Sequence, residues 1–330
     1  MANVSRSTGC GLALLLAACS PDPAGRAAEA APGEADSPYA WTRLTAAAAF
    51  PPLYNFPVHV LADGRFAALH PDGVWLSADG AGWSKSAPPP AGMSTPYLSY
   101  VRHGGATWAL GAVRGDYRRF EIDPLIRRTT DYRRWDEVGR SASLPRVILY
   151  AAAAFRGSMW ILGGQDSAGA RAQVWRSSDG LAWQEMPRPP WAPRAGAKAA
   201  VFRDRLFVIG GGEIDGPPLN DVWSTADGLD WRRESARIAD GAPVGYAAVA
   251  FDGRLWLVGA NRSGAFTSEM LVSGDGKSWR PVAAPWSPRG AVAAWTSGDA
   301  LYLTGGKYSV ERDGRPVFIY SNDVWKMTRR

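Results

Sequence analysis

A nine-residue segment that recurs along the chain constrains its fold more than any other feature. The copy WRSSDGLAW at 175–183 is repeated as WSTADGLDW at 223–231 and WLSADGAGW at 75–83, with looser copies at 271–279 and 127–135. The tryptophans that close these copies stand at positions 83, 135, 183, 231 and 279, so their spacings are 52, 48, 48 and 48 residues. A fixed period of this length indicates one supersecondary unit stacked against its own neighbours.

Each unit contains four short apolar stretches separated by turn residues. Upstream of the nine-residue segment lies a run such as MWILGG, LFVIGGG, LWLVGA or LYLTGG, and before it a run such as YAAAAFRG or AKAAVFRD. The 16 Trp, 37 Gly and 25 Pro of the chain are typical of many short strands joined by turns. Four strand-length stretches per unit predict one antiparallel blade of a β-propeller.

The two ends of the repeated region complement each other. The chain ends in SNDVWKM, a third strand with no fourth, whereas residues 39–44, YAWTRL, form a fourth strand with no blade. We therefore expect residues 39–44 to complete the last blade and to close a ring, which leaves no long free edge. The predicted fold is an all-β, six-bladed propeller over residues 39–330.

The first residues have the composition of an export signal. Residues 1–18 combine Arg6 with the apolar run LALLLAA, which is too short to span a bilayer as a helix. The segment Leu16-Ala17-Ala18-Cys19 resembles the bacterial lipobox, in which the cysteine is lipidated after cleavage before it. An ordinary secretory signal with a chance cysteine is the alternative.

Residues 19–38 are rich in Pro, Ala and Glu, and we expect them to be a disordered tether between Cys19 and the propeller. This arrangement predicts a lipoprotein of the bacterial cell envelope, with the membrane as a partner through its lipid anchor. The periplasmic and extracellular faces both remain open.

Composition and motifs argue against several functional classes. The net charge of +6 comes without a dense basic stripe, which argues against nucleic-acid binding. Both cysteines, Cys10 and Cys19, precede the repeats, so the propeller has no thiol chemistry. No Gly-rich phosphate loop, GxSxG or HExxH motif is present. We expect no cofactor and no metal.

The repeats resemble the kelch family over residues 39–330. The resemblance rests on glycine pairs after the second strand and on a downstream tryptophan, namely Gly163-Gly164, Gly210-Gly211, Gly305-Gly306, Trp175, Trp223 and Trp325. It implies a propeller but no particular activity, because this scaffold hosts enzymes, sugar binders and protein-interaction modules. The SxDGxxW turn is also similar to a shortened Asp-box of sialidases.

The Asp-Gly steps within the nine-residue segments are predicted to be turns. Asp-Gly is a strong hairpin signal, and a catalytic carboxylate would not be repeated around a ring. Propeller topology places these turns on the face opposite the Gly-Gly loops, so we expect a ligand site on the Gly-Gly face. The four aspartates concerned are Asp79, Asp179, Asp227 and Asp275.

The connections between units carry the first candidate site residues. By the kelch resemblance, Tyr97, Arg146, Arg194 and Arg289 form a rim at the mouth of the central channel that could grip a carboxylate. The alternative is that these arginines brace neighbouring blades through carboxylates and carbonyls.

Two tryptophans, Trp191 in PWAPR and Trp286 in PWSPR, stand outside the repeated positions. Beside arginines, they suit sugar stacking or a protein contact, or alternatively pack as lids over a blade edge. The longer loops of the same face add further candidate ligand-binding residues, namely Glu213, Asp215, Arg262, Lys307 and Tyr308. No catalytic residue can be assigned.

The leading functional hypothesis is a binding or scaffold module for a cell-envelope glycan or a partner protein. The alternative is a sugar mutarotase, because the chain resembles exported kelch-type sialate mutarotases. Proton transfer at an anomeric centre needs only an acid/base carboxylate and an arginine for the carboxylate of the sugar.

Overall fold

The structure is a computed structural model that describes residues 37–88 and 97–330. Cys19, the predicted signal peptide and the tether up to residue 36 lie outside the described residues, so the lipoprotein expectations stay predictions. Among the described residues, no helix is long and apolar enough to cross a membrane.

In the described ranges, all regular structure is β-strand, and six antiparallel sheets have four strands each. Sheet 1 comprises β2 (Val58–Val60), β3 (Phe66–His70), β4 (Gly73–Ser77) and β5 (Ser84–Ala87). Sheet 2 comprises β6 (Tyr100–His103), β7 (Ala106–Gly115), β8 (Phe120–Thr129) and β9 (Asp136–Arg140). Sheet 3 comprises β10 (Ala151–Phe155), β11 (Ser158–Leu162), β14 (Val174–Ser177) and β15 (Gln184–Glu185).

Sheet 4 comprises β16 (Lys198–Phe202), β17 (Arg205–Ile209), β18 (Val222–Thr225) and β19 (Trp231–Ser235). Sheet 5 comprises β21 (Ala247–Phe251), β22 (Arg254–Val258), β25 (Met270–Ser273) and β26 (Arg280–Val282). Sheet 6 comprises β27 (Ala293–Ser297), β28 (Ala300–Thr304), β31 (Val324–Arg329) and β1 (Tyr39–Thr45). The loops hold the short strands β12 (Gln165–Asp166), β13 (Gly169–Ala170), β20 (Pro243–Val244), β23 (Ala260–Arg262), β24 (Ala265–Thr267), β29 (Lys307–Arg312) and β30 (Arg315–Tyr320).

These sheets confirm the all-β fold class, and they include an alanine run that intrinsic propensity alone would favour as helix. Residues 151–154 lie in β10, whose small side chains tolerate close neighbours on both sides. The first strand of sheet 3 contacts the first strands of sheets 2 and 4, and β2 of sheet 1 contacts β27 of sheet 6. The first strands therefore gather beside one another, and their short side chains leave space between them.

Strand β1 and the last strand of the chain pair with each other. Tyr39 is opposite Arg329 and Trp41 is opposite Met327 in an antiparallel register, with a bulge near Thr45. Apolar side chains fill the space between successive sheets. Trp160 and Leu162 of sheet 3, for example, share one buried cluster with Leu206 and Val208 of sheet 4.

The Asp-Gly segments are confirmed as turns. The carboxylate of Asp179 accepts hydrogen bonds from the backbone N–H groups of Leu181 and Ala182, each at 2.9 Å, and from the Ser177 hydroxyl at 3.0 Å. The Trp183 indole N–H donates to the carbonyl of Gly180 at 2.9 Å. The backbone donors hold the pKa of Asp179 below its usual range. This carboxylate is therefore committed to the turn.

The turn glycines also determine how closely successive sheets approach. Gly228 has a φ of +84°, and a Cβ atom there would lie 2.0 Å from Cη2 of Trp160 in the preceding sheet. Gly276 stands in the same way against the Phe207 ring, where a Cβ would lie 2.4 Å from Cε1. Each turn therefore packs its glycine directly onto an aromatic ring of the preceding sheet.

We expect Gly228→Ala to lower the free energy of unfolding by about 3 kcal/mol or more, since overpacking adds to the strain of a positive φ. Gly253→Ala is the matched control, because Gly253 has a φ of +66° but no atom within 4 Å of a built Cβ. We expect Gly253→Ala to lower the free energy of unfolding by only about 1 kcal/mol. Urea denaturation measures both values, and equal losses would contradict the packing argument.

Candidate ligand-binding site

The structure first shows what the predicted arginine rim does. Arg194 is fully buried, with a side-chain exposure of 0%, and forms a bidentate pair with Asp221 at 2.9 and 3.1 Å. Its guanidinium also donates to the carbonyl of Gly210 at 2.8 Å. Asp221 in turn accepts from the Trp223 indole N–H at 2.7 Å. In this Arg–Asp–Trp brace, the carboxylate and the Gly210 carbonyl belong to sheet 4 or its loop, and the Arg194 Nε also donates to the Ala192 carbonyl at 3.2 Å in the connection before that sheet.

The backbone of Arg194 is held by the other sheet. Its carbonyl accepts from the Gly164 N–H at 2.8 Å, and its N–H donates to the Arg171 carbonyl at 3.0 Å. Gly164 and Arg171 lie in the loop between the second and third strands of sheet 3. One residue therefore fastens the loop of one sheet to the third strand of the next.

A second copy of the brace joins sheets 5 and 6. Arg289 is buried and bonds both carboxylate oxygens of Asp323, and Asp323 accepts from the Trp325 indole N–H at 2.8 Å. The Arg289 N–H donates to the Thr267 carbonyl and its carbonyl accepts from the Ala260 N–H, both in the loop of sheet 5. The expectation that Arg194 and Arg289 form a ligand-binding rim is therefore corrected. Both arginines brace neighbouring sheets instead, because each is paired with an aspartate of the same chain.

The two unusual tryptophans are also buried. Trp191 is 4% exposed and packs edge-on against Trp231, with ring centroids 4.2 Å apart. Trp286 is 3% exposed and packs in the same manner against Trp41, at 4.4 Å. The expectation of an exposed ring for sugar stacking is corrected: both rings are lids over the outermost strand of a sheet.

The third arginine of the expected rim lies apart from these two. Arg146 is exposed, and its guanidinium donates to the carbonyl of Ile122. It lines a surface groove together with Arg118 and Arg119 from the β7–β8 loop and the Arg171–Asp166 ion pair. The structure does not bring Arg146 together with Arg194 and Arg289.

The loop candidates are distributed over separate places. Exposed Glu213 accepts from the backbone N–H of Ala170 at 3.2 Å, and exposed Asp215 lies 4.0 Å from Arg118. Arg262 forms an ion pair with Glu269.

The remaining candidates are buried or half-buried. Lys307 is buried, with its ammonium 4.5 Å from the ring centroids of both Tyr54 and Phe318. Tyr97 and Tyr308 are half-buried. Burial raises the pKa of Tyr97, and nearby Asp116 adds to the effect.

Between the first strands lies a cavity of about 350 Å³ that sequence reasoning did not assign. All six sheets contribute to its wall through their first strands. Glycine and alanine form much of the wall, together with Tyr54, His59 and Lys198. No Asp or Glu is among the described residues that line it.

Lys198 is the cationic side chain of this cavity. It occupies the first position of β16, where β10, β21 and β27 have Ala151, Ala247 and Ala293. Burial lowers the pKa of the Lys198 ammonium, and no acidic group offsets that cost. A lysine at a position that three other repeats fill with alanine is the sequence signal that could have indicated this site, but it was not used.

His59 is held at a defined position in the wall of the same cavity. Its Nδ1 shares a hydrogen bond with the Tyr132 hydroxyl, which donates to Thr107 Oγ1 at 2.8 Å. Burial, with a smaller contribution from the positive charge of Arg102, lowers the pKa of His59 to about 4. The imidazole is therefore neutral near pH 7. His59 and Arg102 also line the neighbouring space at the other end of the first strands.

The described residues contain no group of three or more His, Cys, Asp and Glu side chains arranged to hold a metal ion.

Comparison with known proteins identifies the fold. The chain is similar to a solved structure of the protein YjhT, with a TM-score of 0.67 over 85% of this chain and 96% of that chain, at 12% sequence identity. In all, 478 chains of solved structures match. No protein-family model and no curated protein matches. At this identity the likeness shows the fold alone, which is kelch-type and β-propeller-like.

The Arg194–Asp221 brace predicts a pH-dependent stability. Burial opposes ionisation of Asp221, but the hydrogen bonds and charge of Arg194 outweigh it and hold the pKa below its usual range. A carboxyl group whose pKa is lower in the folded than in the unfolded chain stabilises the fold at pH values above its unfolded-state pKa of about 3.9. This stabilisation is lost as the pH falls through the folded-state pKa.

At pH 7 we expect Asp221→Asn to lower the free energy of unfolding by about 3 kcal/mol, because it leaves a buried guanidinium uncompensated. The difference from the unsubstituted chain should shrink as the pH is lowered below about 4. Urea denaturation across the pH range measures it, with exposed Asp215→Asn as the control that should change little. A deficit that stays constant from pH 7 to pH 3 would refute the assignment.

Proposed function

We propose that this protein binds a small anionic ligand of the acidic-sugar class in its central cavity. One observation carries the proposal: Lys198 lines a cavity of about 350 Å³ that no described acidic residue lines. That volume falls within the range of small-molecule sites, roughly 300–1,000 Å³. An anion that enters the cavity gains a charge-assisted partner where the medium is poorly screened.

The excess of positive charge in the cavity continues into the adjoining space along the first strands. Lys198 lines the cavity, and Arg102 lines the adjoining space, whose described lining also has no Asp or Glu. A bound carboxylate would offset the burial cost of the ammonium, so the pKa of Lys198 would rise on binding.

The arrangement of the six sheets as one closed ring is part of the same proposal. We infer that the six sheets are the blades of one ring and that β1 closes it by completing sheet 6. The pairing of β1 with β31 and the contact of β2 with β27 support this. The cavity is then the axial channel of a kelch-type propeller, which gives one ligand access to all six blades.

We also propose that the protein is a lipoprotein of the bacterial cell envelope, anchored through Cys19. The support is the sequence of residues 1–38, with its short apolar run, the lipobox-like segment and a Pro- and Ala-rich spacer. A glycan of the envelope is then the nearest source of an acidic sugar. A partner protein as the ligand remains a prediction of the sequence.

A second candidate is a mutarotase that anomerises the bound sugar. The observation that favours it is His59, which is neutral, lines the cavity and is oriented by Tyr132. A neutral imidazole can take up and return the proton that ring opening requires. Binding remains the first proposal, since the described residues of the cavity wall include neither the carboxylate nor the arginine that the mutarotase hypothesis requires.

Binding is tested by thermal unfolding of the purified chain with a hexuronate and with the corresponding neutral hexose. We expect the hexuronate alone to raise the melting temperature, because a ligand at 100 times its Kd stabilises the folded state by about 2.7 kcal/mol. Lys198→Met should abolish the increase. Without ligand, this variant should be at least as stable as the unsubstituted chain, because it removes the burial cost of the ammonium.

Lys277→Met is the matched control, since Lys277 is exposed beside an Asp-Gly turn. It should leave the effect of the hexuronate intact. Equal stabilisation of the Lys198→Met variant and the control would exclude the cavity as the site. Proton NMR of sugar anomerisation with the same samples separates the two candidates, since acceleration that is lost in His59→Gln would favour the mutarotase.

The lipid anchor predicts that Cys19→Ala moves the protein from the membrane fraction to the soluble fraction of a bacterial host. Two or more acyl chains are needed for stable anchoring, and the substitution removes their attachment point. Fractionation and mass spectrometry of the mature N-terminus measure the outcome, with Cys10→Ala as the control that stays in the membrane. Retention of the Cys19→Ala protein in membranes would rule out this anchor.

A further inference from the structure

The environment of Lys198 differs from that of an ordinary surface lysine. Lys85 pairs with Asp72 at 3.3 Å, and Lys277 is exposed to solvent. The amine of Lys198 instead lines a cavity walled largely by small residues, and no acidic residue in the described part of the chain lines that cavity. This placement resembles the environments that turn a lysine into a nucleophile, in which a desolvated amine stands in an apolar pocket.

The amine reacts only in its neutral form. Burial lowers the pKa of Lys198, so a larger fraction of this amine is neutral near pH 7 than of a fully solvated lysine. The small residues around it, Gly196, Ala197 and Ala199, line the same cavity. Their short side chains leave space for a small molecule beside the amine.

We propose that Lys198 forms a reversible imine with a small 2-oxo acid bound in the central cavity. This inference rests on the proposed function, since the carboxylate of the ligand is the anion that the cavity attracts. A 2-oxo acid carries its carbonyl carbon directly next to the carboxylate. Binding of that carboxylate near Lys198 therefore brings the electrophilic carbon close to the amine.

The reaction balances without an oxidant or a reductant. The nitrogen lone pair forms a C–N bond to the carbonyl carbon, and the C=O π pair moves to oxygen, which takes a proton to give a carbinolamine. Loss of that hydroxyl with a second proton releases one water molecule and forms the C=N bond. Addition of water reverses both steps and returns the free amine and the 2-oxo acid.

The cavity offers what these steps require. His59 lines it and is neutral near pH 7, so it can accept and return the proton that is transferred to and from oxygen. The protonated iminium retains the positive charge of the lysine. The attraction for the adjacent carboxylate therefore persists after the covalent bond has formed.

The experiment incubates the purified full chain with pyruvate and sodium cyanoborohydride, which reduces an imine to a stable secondary amine. We expect one reduced pyruvate adduct per chain, located at Lys198 by peptide mass spectrometry. Labelling at Lys198 should exceed that at exposed Lys277 by at least about tenfold, because the bound carboxylate holds the carbonyl carbon beside the Lys198 amine. Equal labelling of the two lysines would overturn the proposal.

Lys198→Arg separates this proposal from the proposed function. The guanidinium keeps the positive charge but is not a nucleophile at neutral pH. We expect this variant to form no adduct and still to be stabilised by propionate, which has a carboxylate but no carbonyl. If propionate stabilises the unsubstituted chain but pyruvate forms no adduct, the imine alone is overturned. If propionate, pyruvate and hexuronate all fail to stabilise it, anion binding is overturned as well.

Discussion

The buried arginine–aspartate pair is the interaction on which the arrangement of adjacent sheets depends. At Arg194 and again at Arg289, a guanidinium enclosed by protein bonds a carboxylate at the start of the third strand of one sheet. The backbone of the same arginine bonds the loop of the preceding sheet. Because an unpaired charge would be costly at this depth, the two sheets can be separated only by exposing or breaking the pair.

The rest of the architecture is consistent with this constraint. Between sheets 3 and 4, the Arg194 brace lies at one end of the strands, and the turn glycine Gly228 packs on the Trp160 ring at the other end. The two kinds of contact lie at opposite ends of the strands and leave the first strands side by side. Those strands carry mainly small residues, so the space between them stays open instead of filling with side chains.

Much of the fold was predictable from the sequence because it depends on local and repeated signals. The Asp-Gly turns and the pairing of residues 39–44 with the last strand both followed from the repeat. Burial of the PWAPR and PWSPR segments did not, since an arginine beside a tryptophan suits an exposed site equally well. The informative signal lay further along the chain, in the two copies of NDVW that supply the carboxylates.

The candidate site was harder to predict for a physical reason. The residues expected at the mouth were chosen by resemblance and by charge, but a charge is available to a ligand only if no partner in the chain has taken it. Arg194 and Arg289 have such partners, whereas Lys198 faces a wall without acids. Only the three-dimensional structure distinguishes a charge that holds the scaffold from one that is open to the cavity.

Tyr132 shows that a residue departing from the repeat can have a role in the candidate site. Four of the five turn segments have a glycine at the position of Tyr132. Tyr132 adopts a φ of +61°, a conformation that residues other than glycine disfavour. The strained residue extends its hydroxyl to His59 in the wall of the cavity. The turn that elsewhere only reverses the chain here also fixes an imidazole in the cavity wall. A substitution at Tyr132 therefore changes the cavity as well as the turn.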